Sequence, residues 1–295
     1  MIPAPAAARV RLATRGSALA RAQAALAAGA LSAADGTVVD LVIVSTGGDR
    51  NQSTPILEMD GQGWFTAEIE RALLENRADI AVHSAKDLPT DLAVGLEVAA
   101  LLARADPRDA VVTRDGGGLA GLPDGATLGS SSARRAAMVA ELRPGLRCVP
   151  IRGNVDTRLA RLDAGLVDGL LVAAAGLDRL GLGDRADERL DPRSFVPAPA
   201  QGAIALEALI GTAAARAAAG AGDAETALAV GAERAVLRAL GGGCLLPLGV
   251  WARVDGGELV VSAALLVDGI LRRAELAGDP AEWGALVERV AGTLR

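Results

Sequence analysis

The sequence predicts an α/β protein of more than one domain, closed by a small α+β domain at its C-terminal end. Its 295 residues exceed what one ordinary core accommodates. Through residues 10–207, short β-branched runs alternate with amphipathic helical stretches, the pattern of strand–helix–strand units. After residue 249, three strand-like runs precede a final helix, a grouping that belongs to α+β.

Val10 to Thr14 reads as a strand, and Ser17 caps a helix to Leu31. Val38 to Ser45 is a β-branched run consistent with a buried strand, and the polar, Gly-containing segment from Asn51 to Gly63 reads as a loop. A helix follows from about Phe65 to Asn76, with Ile69, Leu73 and Leu74 on one face, and then a strand from Asp79 to His83. A second unit begins near Asp109. Its strands are Ala126–Leu128, Leu146–Ile151 and Gly169–Ala175; Ser132 caps a helix running to about Leu142, and a second helix runs from Asp156 through Leu162. Prolines between Arg193 and Pro199 mark a crossing linker, after which Ala203–Glu207 is expected to rejoin the first sheet. Gly211–Gly222 reads as weak helix plus connector, and Ala224–Leu240 as a strong helix ended by three glycines. Strands at Gly249–Val254, Glu258–Leu266 and Ile270–Leu276 and a helix from Pro280 to about Leu294 complete the chain.

Composition excludes several classes. Hydrophobic residues make up 51% of the chain but aromatics only 2%, too few for the stacking platforms of single-stranded nucleic acid. A net charge of -6 and a pI near 5.0 argue against polyphosphate partners as well. Arg9, Arg11, Arg15 and Arg21 interrupt the Ala-rich N-terminus before a signal-like run forms, and no stretch approaches the ~18 apolar residues of a spanning helix. The expectation is a cytoplasmic monomer with neither a membrane nor a nucleic-acid partner. Cys148 and Cys244 match no metal-ligand spacing and make no disulfide framework, and a single histidine excludes a His-rich metal site.

The only histidine and the only lysine share one segment, His83-Ser84-Ala85-Lys86-Asp87, at the C-terminal end of a strand, where ligands bind in open α/β sheets. In a chain that otherwise uses arginine for every basic position, Lys86 suggests a need for a point charge. Asp87 suits general acid/base work or stabilisation of a developing cation; a helix cap or ion-pair partner is the plainer reading of the same residue. His83 alone reads as a satisfied core histidine. Arg15, Arg134, Arg135, Arg152, Arg158 and Arg179 all fall at strand ends or helix starts. Their forks suit a ligand with several carboxylates, and no nucleotide fingerprint is present. Cys148 reads as core. Cys244, after three glycines, is either a buried small hydrophobe or an attachment point.

Together, Ala13-Thr14-Arg15-Gly16-Ser17, the run from Leu74 to Pro89, Asp106-Pro107-Arg108-Asp109, Arg134-Arg135, Arg152-Gly153-Asn154-Val155-Asp156-Thr157-Arg158, the run from Ala175 to Gly181, Gln201-Gly202-Ala203 and Gly242-Gly243-Cys244 resemble the porphobilinogen deaminase family. They stand in family order and cover nearly the whole chain. The resemblance implies two hinge-linked α/β lobes like type II periplasmic binding proteins plus the small α+β domain. The expected divisions are 1–102 with 203–217, 108–196 and 223–295. It implies a dipyrromethane cofactor joined by a thioether to Cys244, and stepwise condensation of four porphobilinogen molecules to hydroxymethylbilane with loss of ammonia. On that resemblance Asp87, expected to be buried, is catalytic. Lys86, Ser84, Ser131, Arg134, Arg135 and Arg158 hold the cofactor with Cys244, and Arg15, Ser17, Arg152, Arg179 and Phe65 hold substrate. No metal is implied. The chain departs from the family in carrying Glu58 and Gln62 in a lid-like loop where lysines are frequent, and Ala200 where glycine is usual. The alternative readings are a two-lobed carboxylate-binding protein without catalysis and a degenerate deaminase that keeps the fold but has lost activity through the changes in that loop.

Overall fold

Apolar residues on both faces of consecutive short runs dictate buried strands, and the central strands of the first sheet are of that kind. In the computed structural model, which describes residues 9–45, 66–243 and 246–295, β1 (Arg9–Arg15) pairs in parallel with β2 (Val38–Val44) and β3 (Ile80–Ser84). Antiparallel to β3 lies β10 (Ile204–Leu209), which also pairs with β4 (Leu96–Leu101), giving the order β2-β1-β3-β10-β4. The late strand does rejoin the first sheet, as expected. Helix α1 (Ala18–Asp35) buries Ala24, Ala27 and Leu31, spaced to lie on one face, and is capped by Ser17. Gly36 ends it at φ 76°, a left-handed stop that glycine takes without strain.

The second sheet repeats this plan. Strands β6 (Thr127–Gly129), β7 (Arg147–Val149) and β8 (Gly169–Ala173) are parallel, and β5 (Asp109–Thr113) runs antiparallel to β8 and to the short β9 (Glu188–Arg189). The order β7-β6-β8-β5-β9 matches the first sheet position for position. A third sheet, β11 (Leu248–Asp255), β12 (Glu258–Val267) and β13 (Ile270–Gly278), is an antiparallel meander. Its core, which includes Val236, Val250, Val261 and Val290, is closed by a helix before it and a helix after it. The chain divides into two compact units, residues to Arg104 with Ala203–Ala227, and Ala105–Gly202 with Leu228–Arg295.

Three local readings are corrected. β2 is an edge strand whose Val38, Leu41 and Ile43 are 46, 49 and 45% exposed, so its apolar composition does not reflect burial on both faces. On helix α2 (Ala67–Leu74), Ala72 joins Ile69 and Leu73 in the core and Leu74 is exposed. The strand predicted to reach Ala175 stops at Ala173, and Ala174–Arg179 turns into a short helix. The Ala-rich stretch contains a true helix, Ala213–Gly220, whose Thr212 cap accepts from Ala215 N at 3.1 Å and contributes about 1 kcal/mol. Among the described residues no helix is long and apolar enough to cross a membrane.

Candidate functional site

In both units, residues singled out from sequence stand where parallel strands end or in the turns and helices that follow. In the first, β1 delivers Arg15 and Ser17, and β3 delivers Ser84 and the 3₁₀ turn Ala85–Asp87. Ser17 Oγ accepts the Ala20 N–H at 3.3 Å, so its first task is to cap α1. Ser84 Oγ accepts from Nε2 of the buried Gln23 at 2.8 Å, fastening the end of β3 to α1. Ala85 N–H donates to Ala203 O at 3.1 Å, so the turn bearing Lys86 and Asp87 is pinned by backbone at its first residue. Lys86 is half-buried. Asp87, expected to be buried, is exposed, because the tight 3₁₀ turn carries it outward past the buried Ala85.

His83 is the core histidine that the sequence suggested. It is buried, and its Nε2 lies 3.0 Å from Oε2 of Glu207 on β10. Sequence reading missed Glu207, although a lone carboxylate inside Ile204–Leu209 is the signal of a buried polar group awaiting a partner. Glu70 on α2 faces the same group. Burial pushes its carboxyl upward and the Glu207 charge adds to that, against smaller opposing effects of Thr66 and His83.

In the second unit, β6 ends at Gly129 and Ser130-Ser131-Ser132 leads into α3 (Ala133–Leu142), capped by Ser132. Arg134 and Arg135, expected as open forks at the helix start, are instead 4 and 7% exposed and converge on Asp109. Arg134 Nη1 donates to Asp109 Oδ2 at 2.7 Å and to Val196 O at 2.8 Å; Arg135 Nε donates to Asp109 Oδ1 at 2.8 Å and Nη1 to Leu171 O at 2.7 Å. Gln201 Nε2 adds a bond to Asp109 Oδ1 at 3.2 Å. Burial by itself would raise the Asp109 carboxyl, but the two guanidinium charges outweigh it and hold it far below the usual range. Burial lowers Arg135, with Asp109 opposing. Two buried guanidinium groups thus share the Asp109 carboxylate, and a second buried carboxylate, Glu233, lies in the same unit.

Ser131 Oγ donates to Ile151 O at 2.9 Å and accepts Ile151 N–H at 3.1 Å, so the hydroxyl expected to help hold a cofactor ties the β6 turn to the β7 turn. After β7, Arg152 precedes Gly153, whose φ of 102° and whose would-be Cβ, 2.8 Å from Thr157 Cγ2, both demand glycine. Arg158, on α4 (Val155–Asp163), donates through Nε to Gly153 O at 2.8 Å, and Arg152 is half-buried beside the same turn. Arg179, at the end of α5 (Ala174–Arg179), donates through Nη2 to Gly202 O at 2.6 Å. Its Nε is buried without an acceptor, as is Nε of Arg134. Cys148 packs against the core, and burial raises its thiol, which suits no reactive role. Cys244, Phe65, Glu58 and Gln62 lie outside the described residues.

A family model described as "Porphobilinogen deaminase, dipyromethane cofactor binding domain" matches residues 10–217, and one described as "Porphobilinogen deaminase, C-terminal domain" matches residues 227–295. The chain belongs to the porphobilinogen deaminase family. It is 48% identical over 269 residues to the porphobilinogen deaminase of Sorangium cellulosum, covering 90% of this chain and 89% of that one. With the porphobilinogen deaminase of Syntrophobacter fumaroxidans it shares 44% over 277 residues, 92% and 90% of the two chains. Among solved structures, a putative methionine-binding lipoprotein of Bacillus subtilis matches with a TM-score of 0.44 at 13% identity, covering 74% of this chain and 92% of that chain. The family's dipyrromethane carries carboxylates, and Nε of Arg134 and Nε of Arg179, buried without acceptors in the second unit, are donors of the kind that anionic oxygens satisfy. Arg134 and Arg135 are thus a buried pair on Asp109 rather than open forks.

Proposed function

We propose that this chain is a hydroxymethylbilane synthase, a transferase of tetrapyrrole biosynthesis that condenses porphobilinogen head to tail. The observation that carries the reading is the family match, which runs through both family domains and includes every motif quoted from the sequence. In each step a C–C bond forms between a free pyrrole α-carbon and the aminomethyl carbon of porphobilinogen, the C–N bond breaks, and ammonia leaves with the proton balance closed by loss of the α-hydrogen. The dipyrromethane, when bound, supplies the first of those α-carbons.

The chain's own residues hold charge. Arg15, Arg152, Arg158 and Arg179, with Lys86, bind carboxylates of cofactor and substrate, and the buried positive charge of Arg134 and Arg135 favours the same anions. Asp87 accepts pyrrole N–H groups and stabilises positive charge as it develops. Its exposed position leaves the carboxylate open to a ligand. Ser84 and Ser131 add hydrogen bonds to the cofactor, Ser17 adds one to substrate, and Phe65 also binds substrate. Cys244 is the attachment point. We assign three domains, 1–102 with 203–217, 108–196 and 223–295, the last supported by its own core. The protein acts as a cytoplasmic monomer without membrane or nucleic-acid partners, in keeping with its acidic pI.

Incubation with porphobilinogen tests the reading. One ammonia is expected for each porphobilinogen consumed, with a linear tetrapyrrole as product; a cofactor-bearing protein that consumes none would overturn it.

A further inference from the structure

Residues 196–202 lead from the second sheet toward β10, and this linker is held at successive points. Arg134 Nη1 donates to Val196 O at 2.8 Å, Val250 N–H to Pro197 O at 2.9 Å, and Arg179 Nη2 to Gly202 O at 2.6 Å. Gln201 Nε2 reaches Pro107 O at 2.8 Å and Asp109 Oδ1 at 3.2 Å. Arg179, proposed to bind carboxylates, and Arg134 of the buried pair thus contact one short stretch of backbone, and the aspartate that holds Arg134 and Arg135 is bonded to a side chain of the same stretch.

Ala200 in that stretch has φ 62°, a left-handed conformation that an L side chain enters at a cost. Its N–H donates to Glu233 Oε2 at 2.6 Å, and the other oxygen, Oε1, accepts Ala252 N–H at 2.8 Å. Glu233 is completely buried. It stands on the helix Ala224–Ala239, outside every motif singled out from sequence.

The arrangement has a geometric logic. β11 is an edge strand, and the N–H groups of Val250 and Ala252 share the edge that faces away from β12. The linker runs along that edge so closely that a Cβ on Gly249 would lie 2.5 Å from Val196 O. Val250 pairs with the linker directly. Where the linker turns off, the Glu233 carboxylate takes the next N–H of β11 and joins it to Ala200.

We propose that Glu233 is a positioning residue for the carboxylate-binding arginines. By holding Ala200 in its left-handed turn it keeps Gln201 on Asp109, which fixes Arg134 and Arg135, and it sets the Gly202 carbonyl that orients Arg179. The part concerning the linker stands on geometry alone; the part concerning cofactor and substrate rests on the proposed function.

Glu233→Gln is the direct test, because an amide offers one acceptor oxygen and turns its NH₂ donors toward the second backbone N–H. In that variant amide exchange at Ala200 and Ala252 rises at least about tenfold, and calorimetric affinity for a benzenetricarboxylate probe falls about tenfold, one hydrogen bond's worth of binding. KM for porphobilinogen rises by a similar factor with kcat nearly unchanged, since uniform binding is what is lost. Adding Ala200→Gly, which takes φ 62° without strain, restores KM and probe affinity toward wild type. Faster exchange at Ala200 with unaltered probe affinity and KM would overturn the proposal, as would a double variant no better than the single. If Glu233→Gln does not fold, exchange in the unsubstituted protein decides: an Ala200 amide exchanging as fast as an unstructured one overturns the anchor, and a protected one supports it. Should the unsubstituted protein turn over no porphobilinogen, the proposed function fails while the probe and exchange measurements still judge Glu233.

Discussion

Asp109 is the residue on which the second unit's charge arrangement depends. It is completely buried and answers two guanidinium groups, so Asp109→Asn leaves two cations without their anion. Breaking a buried pair of this kind costs about 3–5 kcal/mol, a large part of the roughly 5–15 kcal/mol that holds a domain folded. A lower urea midpoint at neutral pH is expected. The sign follows from a depressed folded-state value: the stability that Asp109 contributes is present above the ordinary carboxylate value of about 3.9 and is lost only as pH falls through the depressed one. The gap between variant and wild type therefore narrows only in strong acid. Asp87 is the opposite case, exposed and without a structural task in the described bonds that its turn needs. Asp87→Asn should leave the melting temperature within about a degree or two, because surface changes cost little. It should retain the cofactor and lose most turnover, about 10²-fold or more by analogy with removal of one electrostatic stabiliser. Wild-type turnover in that variant would remove Asp87 from the chemistry.

At the scale of elements, what was legible in the sequence was whatever follows from local pattern. Ser17 and Ser132 cap the helices they were expected to cap, and the motifs at β1, β3, β6 and β7 stand at strand ends. Partners distant in sequence were not legible. Nothing in the local pattern says that Arg134 and Arg135 turn inward to Asp109, that Ser131 serves Ile151, or that β2 lies at an edge, since each depends on pairings made 20 or more residues away. The acidic group on α2 illustrates such coupling. Glu70 is destabilised as an anion by burial first and by Glu207 second, so its folded-state value is raised. A raised value means that its favourable, protonated state is fully present below the ordinary value of about 4.3 and is lost as pH rises through the folded one. Glu70→Gln is uncharged throughout, so it should melt above wild type at about pH 8 and match it at about pH 4. A variant less stable than wild type at the higher pH would show that the charge is wanted there.

Across the whole molecule, two sheets of the same strand order give a common solution to one requirement, placing charged groups at the ends of parallel strands, and a three-stranded antiparallel sheet follows them in the chain. In a protein whose overall charge is -6, the second unit gathers two buried guanidinium groups on Asp109 and buries Glu233 as well. The C-terminal sheet is fastened to this unit by more than apolar packing: Arg273 on β13 pairs with Glu141 on α3 and donates to Ser194 O at 2.7 Å. All of this serves a covalently held, carboxylate-bearing cofactor, which is the central claim. The intact mass of the protein purified from cells tests it most directly. The account predicts the mass of the 295-residue chain plus one dipyrromethane, and the bare chain mass for Cys244→Ala. A native chain that carries no added mass, and that gains none on incubation with porphobilinogen or hydroxymethylbilane, would contradict it.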